Sequence, residues 1–413
     1  KTGRRVIAID LPMTFPPEPF RGIEIFSWAT HDQMWQPTSH PPSMMQLIRG
    51  EFGPPPLRRE VHKPQHLKTL LKLRDELTRA TWQIADLAKA LMSREAWDVF
   101  LVGFGATHRG GHKLWDCTSV LGDINPDDRA EFSRALRDVY VSCDAAVGQL
   151  VEAADDKVAI LIFSLHGMGP NTSRNHLLPA MLDRILRKEA KSGGKPKQRR
   201  NRRLRMLFSP EWRQRFKHQL PVWLQEKLTK FWRKGSPYWA ETAAVNMVAD
   251  QQGYIRINLL GREAAGTVKA GRDYDQLCTN IEDALKTFVD ADTGEPAIEK
   301  VARSDQLFKQ GPRQSILPDL LIQWTQKPAA NHQALTSPRY GSIPWPTPGL
   351  NPDGRSGNHR PEGFLLAVED RIQPDSTTKD AHIIDLAPTV LALLNIPTPA
   401  KMCGKVLFNQ IKP

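Results

Sequence analysis

The chain has 413 residues, of which 40% are hydrophobic and 25% charged, and it carries a formal net charge of +12. That balance suits a soluble globular protein with a sizeable core and excludes a disordered or collagen-like chain. No run approaches the ~18 apolar residues needed for a membrane-crossing helix. The four cysteines (Cys117, Cys143, Cys278, Cys403) form no CxxC pair, which argues against a cysteine zinc site and a disulfide framework and makes cytoplasmic residence the default expectation.

In chain order, apolar and β-branched runs occupy residues 6–11, 99–104, 158–163, 254–259, 320–324 and 364–368. Helical periodicity fills 66–92 and 129–154 between them. Strands alternating with long helices imply an α/β fold with a mainly parallel central sheet flanked by helices. The chain begins at Lys1 and enters its first strand almost at once, so an N-terminal truncation is expected.

Residues 187–205 concentrate ten lysines and arginines, and Trp212, Phe216, Trp223, Phe231 and Trp232 follow. We read residues 188–235 as a basic insertion, with an exposed loop leading into one or two amphipathic helices. The expected organisation is thus 1–187 and 236–413 as two parts of one α/β domain, with 188–235 between them. Clustered cations with interleaved aromatics suit nucleic acid or a membrane surface. A solvated loop is the commoner outcome, so both partners rank below it.

Four histidines stand out. His108 and His112 lie just past the run at 99–104, His166 follows the run at 158–163, and His359 is delivered by a Pro/Gly/Ser/Asn-rich loop at 328–361. Imidazole is the commonest protein metal ligand, and ligands gather at the carboxyl ends of parallel strands. His108 and His112 are four apart. On a helix that spacing puts both rings on one face; in a loop, the glycines between them would let the rings meet. With His359 they make a three-nitrogen zinc site with a fourth position left for water or a substrate oxygen. Asn171, Arg360 and His31 are candidate contacts for an anionic substrate, the arginine by bidentate pairing.

The ordered blocks resemble the alkaline phosphatase superfamily, and within it the type I phosphodiesterase/nucleotide pyrophosphatase branch. His108 and His112 stand where that branch has Asp-x-x-x-His, and Ser164-Leu165-His166-Gly167-Met168 where it has Ser-Asp-His-Gly-Met. Gly357-Asn358-His359 matches its late Gly-x-His, Leu317-Pro318-Asp319-Leu320 its penultimate core strand, and residues 384–397 its closing helix. The resemblance implies a metal-dependent hydrolase of phosphodiesters or phosphomonoesters, or of related phosphonate or sulfate esters, as in the sulfatase-like relatives. Its substrate would be a small phosphorylated or sulfated molecule.

The chain departs from the family pattern at two metal-binding Asp positions, which are His108 and Leu165. Leucine cannot coordinate an ion, so His166 is expected to belong to an incomplete second site. The family's Thr or Ser nucleophile is expected upstream of Lys1, so no catalytic nucleophile is assigned in these residues. The rival reading is a non-catalytic relative that keeps the fold and one metal and works as a binding protein. A third is an anionic-surface binder acting through residues 188–205.

Overall fold

In the computed structural model, the described residues are 3–12, 20–29, 36–57, 60–190, 242–247, 251–308, 311, 313–328, 330–369 and 381–408. They group into two compact units, one formed by residues 1–171 and 350–413 and the other by 172–349. Almost all of the basic insertion at 188–235, with its tryptophans, lies outside the described residues, as does His31.

The first unit holds four helices of the N-terminal stretch, α1 (Pro42–Glu51), α2 (Leu67–Arg94), α3 (Ala106–Lys113) and α4 (Pro126–Ala153). Its strands there are β1 (Val6–Ile9), β2 (Gly22–Phe26), β3 (Thr38–His40), β4 (Val99–Val102), β5 (Ile160–Ser164) and β6 (Gly167–Pro170). β1 lies between β2 and β4 and pairs with both in parallel, while β3 closes the β2 edge antiparallel. Ile7, Ile9, Ile23 and Ile25 of this sheet pack against Ile84, Leu87, Ala88 and Leu91 of α2.

The two 28-residue helices α2 and α4 carry apolar residues three and four apart, the period that puts them on one face. Leu70, Leu73, Leu77 and Ala80 of α2 share a core with Phe132, Ala135 and Val139 of α4, and Ala106 of α3 joins it. The structure starts α4 before the periodic stretch because Asn125 caps it, accepting the Asp128 amide at 2.8 Å, with Pro126 as the first helical residue. Such a cap satisfies an amide that has no partner inside the helix.

The second unit contains α5 (Leu178–Ala190), β7 (Ala244–Met247), β8 (Gly253–Ile257), α6 (Arg272–Lys286), β9 (Val289–Asp290), β10 (Ile298–Arg303), α7 (Ser304–Leu307), β11 (Leu320–Trp324), β12 (Ala334–Ser337) and β13 (Gly341–Pro344). Its main sheet runs in the order β10-β11-β8-β7 and is antiparallel throughout. A smaller antiparallel sheet runs β13-β12-β9. Met181 and Ile185 of α5, Ile281 and Leu285 of α6 and Ile255, Leu320 and Ile322 of the sheet share one core.

The chain returns to the first unit for β14 (Gly357–Arg360), β15 (Phe364–Val368) and α8 (Leu386–Leu393). β14 pairs antiparallel with β6, and β15 with β5. The α/β class is therefore what the chain builds, with its parallel pairing concentrated around β1. The runs at 254–259 and 320–324, expected in that same parallel sheet, instead pair antiparallel with each other. The intervening helix α6 does not carry the chain directly between them, because β9, β10 and α7 also intervene. No described helix is long and apolar enough to cross a membrane.

Candidate metal centre

Four imidazoles meet in the first unit. Ring centroids lie 4.9 Å apart for His108 and His359, 5.2 Å for His108 and His166, and 4.3 Å for His166 and His359. His112 lies 4.8 Å from both His108 and His359. One ring nitrogen each from His108, His166 and His359 can be chosen so that all three lie within 4.8 Å of one another.

The backbone explains the convergence. α3 starts four residues beyond β4 and presents His108 and His112 on one face. His166 sits in the turn between β5 and β6, held by the Ser164 hydroxyl, which donates to the His166 carbonyl. His359 is on β14, in register with Met168 of β6. Strand β14 also runs close over α3. A Cβ built on Gly357 would overlap the Gly111 carbonyl oxygen, and one on Gly111 would meet the Met168 side chain at 2.7 Å. Glycine at both positions is what permits so close an approach.

Hydrogen bonds fix two of the rings. A carbonyl oxygen only accepts, so His112 Nδ1 carries the hydrogen it gives to Gly357 O at 2.9 Å, and His166 Nδ1 the one it gives to Gly167 O at 3.0 Å. In each neutral ring this leaves Nε2 as the lone-pair nitrogen. His112 is 1% exposed, and its Nε2 has no hydrogen-bond partner. Burial, and then the charge of Arg355, lower the His112 pKa to about 4, against the opposing bond to Gly357. The ring therefore stays neutral, as a metal ligand must.

His108 Nε2 and His359 Nε2 face each other at 3.5 Å. Two nitrogens bound tetrahedrally to one zinc at ordinary Zn–N lengths stand roughly 3.3–3.4 Å apart. The donor set thus fits a divalent ion of intermediate softness, and the His108–His166–His359 triad is placed for one. The grouping differs from the sequence expectation, which joined His112 to His108 and His359 and left His166 to another site. The tight turn between β5 and β6 brings His166 in, while His112, bonded to Gly357, adjoins the three at the buried side with its ring 4.8 Å from those of His108 and His359. Leu165 is 44% exposed and offers no donor.

The other candidates fare differently. Asn171 is buried; its amide nitrogen donates to Arg355 O at 2.8 Å, and its side-chain oxygen accepts from Asn358 at 3.4 Å. Those bonds tie together the segments bearing His166 and His359. Arg360 donates to Pro170 O at 3.3 Å, and its stem covers Gly169. A polar layer that sequence reasoning missed lies beside His112: Glu60, Lys113, Arg355 and Ser356. Ser356 donates its amide to His112 O at 2.8 Å. Its hydroxyl oxygen accepts the amides of Trp115 and Asp116, each at 3.2 Å. The only sequence signal was the adjacency of Lys113 to His112.

The sequence pattern of the Type I phosphodiesterase / nucleotide pyrophosphatase family matches residues 24–329. With three-quarters of the chain covered, the protein belongs to that family. Among solved structures it is similar to human ectonucleotide pyrophosphatase / phosphodiesterase 5, at 12% identity over 81% of this chain and 64% of that one, with a TM-score of 0.36. It is also similar to phosphonoacetate hydrolase from Sinorhizobium meliloti in complex with phosphonoacetate, at 11% identity over 92% of this chain and 68% of that one, with a TM-score of 0.38. The chain thus spans about two-thirds of the length of each. No curated protein sequence matches it.

Proposed function

We propose that the protein takes part in metal-dependent hydrolysis of a phosphodiester or phosphomonoester, or of a related phosphonate or sulfate ester. The observation that carries this reading is the convergence of His108, His166 and His359 in a chain of this family. Zinc is the ion that an all-imidazole set favours over magnesium or calcium, which prefer oxygen donors. When bound, such an ion supplies Lewis-acid stabilisation of phosphoryl oxygens.

The chain's own residues then have separable tasks. His108, His166 and His359 would hold the ion. His112, neutral and with an unpartnered Nε2, is a fourth donor adjoining them. The bonds to Gly167 and Gly357 keep two rings in the tautomer that presents Nε2. A set of neutral ligands leaves the ion's double charge uncompensated, which favours an anionic substrate. No residue of this chain is assigned as the nucleophile.

The test is metal content and zinc affinity of the purified protein and of His108→Ala, His166→Ala and His359→Ala, with hydrolysis of a chromogenic phosphodiester followed alongside. Each substitution is expected to lower zinc affinity and any turnover together. Unchanged zinc binding in all three variants would sink the assignment. A second reading, a metal-bearing binding protein, is favoured by Leu165 standing where the family pattern has a carboxylate. It predicts tight zinc binding with no turnover of any phosphate or sulfate ester.

A further inference from the structure

Lys113 ends α3, one residue after His112, and its side chain is 1% exposed. Burying an ammonium costs several kcal/mol unless its hydrogens find acceptors. All three find one: Nζ donates to Val61 O at 2.7 Å, Gly354 O at 3.1 Å and Asp353 O at 3.3 Å. The Glu60 carboxylate, 7% exposed, stands 3.8 Å away and also pairs with Arg355 at 3.4 Å.

The acceptors matter because of where they lie. Asp353 and Gly354 form the turn that feeds β14. Gly354 has φ +65°, and a Cβ there would overlap the Lys63 carbonyl, so the turn is pressed against the segment that also supplies Val61. Two residues on, Ser356 bonds the His112 carbonyl; one further, Gly357 bonds the His112 ring; two further is His359. The ammonium therefore fastens the start of this run to the helix end beside His112.

We propose that Lys113 is a positioning residue of the histidine cluster: by clamping the 353–354 turn to the end of α3, it sets the His112–Gly357 hydrogen bond and the approach of His359. The proposal rests on the metal reading only for its consequence in affinity; the clamp is a property of the protein without metal.

The experiment compares wild type with Lys113→Met and Lys113→Gln, all labelled with ¹⁵N-histidine. Circular dichroism and a cooperative melt establish folding. In metal-free protein, the His112 Nδ1–H signal is expected to be slow in exchange in wild type and to be lost or strongly shifted in the variants. Zinc affinity, read by chelator competition, is expected to fall about 10–100-fold, the usual cost of losing a residue that orients a ligand. A folded variant that keeps the wild-type His112 signal overturns the proposal, as does absence of that signal from wild type or failure of both variants to fold. Wild type that binds no zinc sinks the metal reading instead and leaves the histidine signal to decide the clamp.

Discussion

His112 donates its Nδ1 hydrogen to the carbonyl of Gly357 across a 2.9 Å hydrogen bond, joining positions 245 residues apart in the chain. The bond exists because Gly357 can pass over Gly111 with no side chain between them. Adding one methyl group tests that dependence. Gly357→Ala forces β14 away from α3 and is expected to cost about 1–3 kcal/mol, the usual range for overpacking a close contact. It should also weaken zinc binding. The contrasting substitution is Gly148→Ala in α4, where a Cβ meets nothing within 4 Å. It is expected to stabilise by up to about 1 kcal/mol. Urea midpoints of the two variants should move in opposite directions.

Glu60 gives the protein a predictable acid sensitivity. Burial pushes its carboxyl up, but Arg355, Lys113, His62 and His112 together pull it below its ordinary value of 4.5. The unfolded chain then binds this proton more readily than the folded one, so stability is present above about pH 4.5 and is lost as pH falls through the folded value. Metal-free protein should show a falling urea midpoint from pH 5 downward. Glu60→Gln should start lower at pH 7 and lose less over the same interval. An equal loss in both proteins would assign the acid sensitivity to other groups.

Much of this architecture is legible in the sequence, for physical reasons that differ between elements. The runs at 320–324 and 364–368 coincide with β11 and β15. The periodicity of 66–92 recovers α2 to within two residues at its far end. Burial of one face imposes the patterns of β11 and α2, whereas Phe364, Leu366 and Val368 of β15 are exposed and its run reflects the β propensity of its residues. β6 and β14 carry no such pattern, because the glycines of Gly167-Met-Gly-Pro170 and Gly357-Asn-His-Arg360 serve close approach to neighbouring segments. All four histidines could be named from sequence, whereas the triad among them could not. Their convergence depends on the β5–β6 turn and on the long-range pairing of β14 with β6. Lys113 and Glu60 stayed hidden because nothing local to either residue signals an ion pair between them.

Asp10 closes the end of β1 and accepts the amides of Trp28 and Ala29, both at 2.7 Å. Both donors belong to fully buried residues, and Asp10 itself is buried with φ +50°. Asp10→Ala leaves two amides without this acceptor and puts a non-polar residue in the left-handed region. The expected loss is about 2–4 kcal/mol. Asp10→Asn retains one oxygen and tolerates that backbone region, so it should lose less. Denaturant titrations ranking asparagine above alanine, with unchanged m-values, would bear this out. Equal losses would place the cost in the carboxylate's charge and not in its geometry.

Leu165 offers the converse experiment, in which a ligand is added. It lies between Ser164 and His166, half-exposed, where the family pattern carries a carboxylate. An aspartate there needs no burial of charge, so Leu165→Asp should fold with a stability change within about 0.5 kcal/mol, as at other exposed sites. A negatively charged oxygen donor beside three imidazoles offsets part of the ion's charge. Zinc affinity is therefore expected to rise about tenfold, or 1.4 kcal/mol. Manganese, which takes oxygen donors more readily than zinc does, should gain proportionally more. Isothermal titration with both ions decides the matter. If neither affinity moves while His166→Ala abolishes binding, residue 165 points away from the ion, and the second metal position of the family pattern is not recoverable at this turn.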